Sequence, residues 1–93
     1  MDIEYCAGVV EHFADIHKGL TDIRNSLDGY LYLEIPNRLS TPGCHQMENG
    51  SLEWRLSKKA WEQKIECAGF VIVESLEKTP GKFAWILKDS NEY

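Results

Sequence analysis

The sequence predicts a single α/β domain with two main helices and about four strands, and three stretches carry that reading. Leu31, Leu33 and Ile35 alternate with Tyr30, Tyr32 and Glu34, a period of two that belongs to a half-buried strand. Ser57 is a good helix N-cap, Ala60, Trp61, Lys64, Ile65 and Ala68 follow at helical spacing, and Gly69 supplies the stop. Residues 70–75 and 82–88 are rich in β-branched and aromatic side chains, with Thr79, Pro80 and Gly81 between them, which predicts an antiparallel hairpin.

Taken from the amino terminus, the first element has two readings. Ile3, Cys6, Val10, Phe13, Ile16, Leu20, Ile23 and Leu27 form an even helical stripe, so periodicity alone predicts one helix over residues 2–27. Gly8 and Gly19 oppose it, each costing about 1 kcal/mol relative to Ala inside a helix. The other reading is a strand near residues 3–8, where Tyr, Cys and Val are comfortable, followed by a helix near 15–27. Asp28 and Gly29 end either version, the strand of residues 30–35 follows, and Pro36, which has no amide hydrogen, closes its pairing. Residues 36–50 hold two prolines, two glycines and no apolar period, which predicts a long internal loop, exposed and mobile. Helix 57–68 and the hairpin complete the chain, and its polar end is expected to fray.

At 93 residues the chain has the size of one domain, with one modest core. A 43% hydrophobic, 27% charged composition predicts folding rather than disorder. The net charge of −5 repels phosphate backbones, so nucleic-acid binding is disfavoured and a basic partner is easier to accommodate. Met1, Asp2, Ile3 and Glu4 make neither the cationic nor the apolar part of a secretory signal, and no apolar run approaches the roughly 20 residues of a membrane span. Three cysteines, Cys6, Cys44 and Cys67, without repeated spacing fit reduced thiols. The expectation from these features is a cytoplasmic protein with no membrane association.

Read in order, residues 2–37 resemble the part of class I S-adenosylmethionine-dependent methyltransferases that runs from the fourth strand to the end of the fifth. The resemblance rests on a strand at Ile3 to Ala7, the pair Glu11 and His12, a helix from Asp15 to Leu27, Gly29, and a strand closing in Pro36 and Asn37. It continues through the helix from Ser57, the Ala68–Gly69–Phe70 turn and the final hairpin, so it covers nearly the whole chain. What it implies is a small two-layer mixed sheet, like the second half of a Rossmann-like methyltransferase, with the last strand inserted between the second and third. The family's glycine-rich cofactor loop and its ribose-binding acid have no counterpart in these residues. A glycine-rich turn lets the backbone approach a cofactor and a carboxylate grips ribose hydroxyls, so no cofactor is expected for the chain alone. S-adenosylmethionine enters only if a partner completes the site.

The resemblance nominates Glu11, His12, Pro36 and Asn37 as ligand or substrate contacts, because ligands in open α/β sheets sit beyond the carboxyl ends of strands. The plainer alternative has Glu11 and His12 opening a surface helix and Asn37 solvated. His12, His17, Cys44 and His45 lack metal-ligand spacing, and adjacent Cys44 and His45 make a poor nucleophile–base pair, so neither a metal site nor a catalytic residue is assigned. Trp54, Trp61 and Trp85 fit core or interface positions. Residues 57–88 imitate a winged helix, but Glu62, Glu66, Glu74 and Glu77 dilute Lys58, Lys59 and Lys64.

Three roles are therefore compatible with the sequence: a non-catalytic methyltransferase-like half-domain serving as an interaction or accessory module, one part of a split methyltransferase, and, as a minor alternative, a small winged-helix nucleic-acid binder. Without the first strand, which flanks Ile3 to Ala7 in the parent fold, and the helices that cover one sheet face there, that edge and that face are left open, which predicts a homodimer or another protein partner. Ile3, Tyr5, Tyr30, Tyr32 and Trp85 are the candidate interface residues.

Overall fold

The computed structural model describes residues 3–36, 43–46, 48, 50, 52–76 and 81–92. In chain order these form β1 (Ile3–Ala7), a 3-10 turn (Val10–His12), α1 (Ile16–Ser26), β2 (Tyr30–Pro36), β3 (Gly43–Gln46), β4 (Leu52–Arg55), α2 (Lys58–Cys67), β5 (Phe70–Leu76), β6 (Lys82–Asp89) and a second 3-10 turn (Ser90–Glu92).

The amino-terminal stripe does not form one helix. β1 ends at Gly8, whose φ of +71° lies in the left-handed region that side chains disfavour, and the backbone turns there. α1 begins only after Asp15, whose carboxylate caps the Lys18 amide at 3.1 Å. The second glycine of the stripe, Gly19, does lie inside α1 for a packing reason: a Cβ at that position would overlap the Phe13 ring. α2 is capped in the same way by Ser57 and ends at Gly69, with φ +95°. Arg24 from α1 lies across that turn, donating from Nε to the Ala68 carbonyl at 2.8 Å and facing Asp89 at 3.5 Å.

The main sheet has the order β1-β2-β6-β5. β1 runs parallel to β2, and β6 is antiparallel to both of its neighbours, so the sheet is mixed and the last strand lies between β2 and β5. The sequence that imitates a winged helix is thus built into a four-stranded sheet. Between Ile72 and Glu74 the β5–β6 register slips by one residue, a β-bulge.

Register decides which side chains share a face. Leu31 pairs with Leu87, Leu33 with Trp85 and Ile35 with Phe83, and all six are buried. Ile16 and Leu20 of α1 and Trp61 and Ile65 of α2 join them in one cluster, so both helices cover this face. Each fully buried large apolar side chain contributes roughly 1.5–3 kcal/mol, and this layer supplies most of them. Trp85 is 0% exposed, and its Nε1 donates to Glu62 at 3.0 Å. Its expected place in an exposed interface is thereby corrected: Trp85 is on the helix-covered side.

Within the stretch predicted as loop, Gly43–Gln46 is a strand, β3, that pairs with β4 in a separate two-stranded sheet. Residues 37–42, 47 and 49 of that stretch lie outside the described residues. Among the described residues no helix is long and apolar enough to cross a membrane.

Candidate functional site

The carboxyl ends of the two parallel strands open onto a cavity of about 250 Å³ lined by Ala7, Gly8, Glu34, Pro36 and Lys82. Pro36 is the one nominated residue that lines it; Asn37 lies outside the described residues. The charged groups of this cavity already face each other. Lys82 Nζ is 3.6 Å from Glu34 Oε2, while Glu34 Oε1 accepts the Tyr32 hydroxyl at 3.2 Å.

Glu11 and His12 are turned elsewhere. Glu11 is only 2% exposed, which replaces the surface position of the plainer alternative with a buried one. His12 is exposed, and its Nδ1 donates to the Leu52 carbonyl at 2.7 Å while Nε2 lies 3.7 Å from Glu11 Oε2. Trp54 Nε1 donates to the Phe13 carbonyl at 2.8 Å. These bonds fasten β4 to the 3-10 turn, so the pair serves as a clamp between segments about 40 residues apart. Within β4 itself, Arg55 and Glu53 form a 2.6 Å ion pair, both side chains mostly buried on one face of the strand. Sequence reasoning passed over that pair, although an i, i+2 Glu–Arg spacing on a strand is its signal.

The thiol of Cys6, half-buried against the core, is pushed above its ordinary range by burial and then by the Glu11 carboxylate. That holds it as the neutral, unreactive thiol. Cys44 and Cys67 are exposed. No group of three or more His, Cys, Asp or Glu side chains gathers for a metal among the described residues.

The remaining candidates lie on the sheet face opposite the helices and at its β1 edge. Tyr5 is 77% exposed and Ile3 50% exposed. Tyr30 is half-buried, with Lys88 Nζ 5.6 Å from its ring centre. Tyr32 is only 8% exposed, because the Tyr5 ring lies 5.2 Å from its own and Ile86 pairs beside it. Burial, the Glu34 charge and the bond to Glu34 push the Tyr32 hydroxyl above its ordinary range. No described strand pairs with the outer edge of β1.

No family model matches the sequence, and no curated protein matches it significantly. Among solved structures the chain is similar to an S-adenosylmethionine-dependent methyltransferase from Clostridium acetobutylicum, with a TM-score of 0.69 at 10% identity. The match covers 95% of this chain and 58% of that one. The fold is therefore methyltransferase-like, and the chain spans a little over half of that neighbour's length. Among the described residues lining the cavity, Glu34 and Lys82 are engaged with each other, so neither offers an uncommitted group to S-adenosylmethionine.

Proposed function

We propose that this chain is a non-catalytic methyltransferase-like half-domain that works as a binding module and associates with a second copy of itself. The observation that supports it best is the outer edge of β1, with which no described strand pairs and which is flanked by the exposed side chains of Ile3, Tyr5 and Val9. An unpaired edge offers a row of amides and carbonyls to another chain, and these three account for most of the large apolar side chains left exposed among the described residues. Light scattering at micromolar concentration tests the reading: the expected mass is twice 10.7 kDa, and a stable monomer would sink it.

A second reading, one part of a split methyltransferase, draws on the cavity at Gly8 and Pro36, since ligands in open α/β sheets bind beyond the strand ends. Calorimetric titration with S-adenosylmethionine separates the two. No heat and no thermal shift are expected, because a ligand of the native state must raise its stability. Saturable binding below about 100 μM, worth roughly 5 kcal/mol, would favour the enzyme part.

A further inference from the structure

The proposed self-association leaves open which surface meets which. We infer that two copies join edge to edge through β1, antiparallel, with the two-fold axis passing through Tyr5, so that two four-stranded sheets become one continuous sheet. This inference rests on the self-association reading and adds its register.

The phase of the ladder comes first. Gly8 donates its amide to the Glu34 carbonyl, and amide direction alternates along a strand. The amides and carbonyls of Glu4 and Cys6 therefore point into the β1–β2 ladder, and those of Ile3, Tyr5 and Ala7 point out of the sheet. In an antiparallel pair, residues whose polar groups face the partner exchange two hydrogen bonds with the residue opposite. With the axis on Tyr5, Tyr5 meets its own copy, Ile3 meets Ala7 of the second copy, and Ala7 meets Ile3. Every outward-facing group of β1 is then bonded.

Charge and backbone select this register over its neighbours. An axis on Glu4 would set two Glu4 carboxylates directly opposite each other, where cross-strand like charges are destabilising. An axis on Cys6 would require Ile3 to pair with Val9, beyond the turn that the left-handed Gly8 makes. With the axis on Tyr5, Glu4 faces Cys6 instead, and β1 carries no other charge. The side chains agree. Tyr5 already packs on Tyr32, and its 77% exposure leaves most of its surface available to the second Tyr5 ring.

Proline at Tyr5 removes an outward amide and leaves the inward ladder to β2 intact, so Tyr5→Pro is the direct test. The expected result is a folded variant, judged by far-ultraviolet circular dichroism, whose dimer dissociation constant rises by about tenfold or more. A folded Tyr5→Pro chain that remains as dimeric as the wild type overturns the edge register and leaves the self-association reading standing; a monomeric wild type overturns both and leaves the edge to a strand from elsewhere. Should Tyr5→Pro fail to fold, cross-linking decides. In a chain carrying Cys6→Ala, Cys44→Ser and Cys67→Ser, Tyr5→Cys is expected to form an intermolecular disulfide, since directly opposed residues lie at about 5.5 Å between Cα atoms. Cross-linking through Glu4→Cys in its place would overturn the register.

Discussion

The two faces of the main sheet are made by the same strands and obey opposite rules. On one, Leu31, Leu33, Ile35, Phe83, Trp85 and Leu87 are buried beneath two helices. On the other, Tyr32 and Ala84 are shielded by neighbours within the sheet, while Ile3 and Tyr5 stand exposed. The first face holds the chain together, and the second, with the β1 edge beside it, carries the exposed Ile3 and Tyr5. The difference teaches that apolar content alone does not say what a strand face is for, because the middle of β6, Phe83 to Leu87, is apolar on both sides and only its partners distinguish them.

The sharpest way to break this comparison is to truncate one aromatic on each face. Trp85→Ala is expected to cost about 3–5 kcal/mol by removing a large core side chain, whereas Tyr5→Ala, which loses the contact with the Tyr32 ring, is expected to cost about 1 kcal/mol or less for the isolated chain. Urea denaturation at a concentration low enough to separate copies measures both, and similar losses would erase the distinction between the faces.

A smaller effect probes the packing under the helices. Alanine normally stabilises a helix interior relative to glycine by about 1 kcal/mol, yet at Gly19 the added methyl group meets the Phe13 ring. Gly19→Ala is expected to destabilise the fold by about 1 kcal/mol; a raised melting temperature would show that Phe13 swings aside without cost.

The smallest effect lies at alkaline pH. Cys6 and Tyr32 both hold their protons more tightly when folded than when unfolded. As pH rises past their ordinary values of 9.0 and 10.0, the unfolded chain releases protons first. The stability from these two groups is complete below that range and is lost as pH climbs through the raised folded values. Denaturation midpoints at pH 7 and about pH 10 should fall in that order, and a thiol reagent should label Cys44 and Cys67 before Cys6. Equal labelling rates would contradict the burial of Cys6.

Much of the fold was legible where local chemistry and tertiary structure agree. The period of two at residues 30–35, the Ser57 cap and the turn at Gly69 marked their elements closely. The parallel pairing and strand order came from the family resemblance rather than from any local pattern. β3 was not legible, because Gly43, Cys44, His45 and Gln46 have no apolar alternation, and β4, with which it pairs, is fastened to the core by His12 and Trp54. Glu11 misled for a related reason. The segment that buries it arrives about 40 residues later, so nothing near it in sequence announces a covered carboxylate. Trp85 was assigned to the wrong surface because both faces of its strand are apolar between Phe83 and Leu87, and register with β2 decides which one meets the helices.

The bulge in β5 bears on how far such an assembly extends. β5 is the opposite border of the sheet, and there the register slips, Val73 stands 48% exposed and the neighbouring Glu74 carries a charge outward. Bulges and charges disrupt strand addition. A sheet with two regular borders could add copies without limit and grow into a fibre; in the proposed edge-to-edge assembly the kinked second border would stop growth once the regular borders had met, so the same irregularity that loosens the β5–β6 ladder would cap polymerisation at two chains.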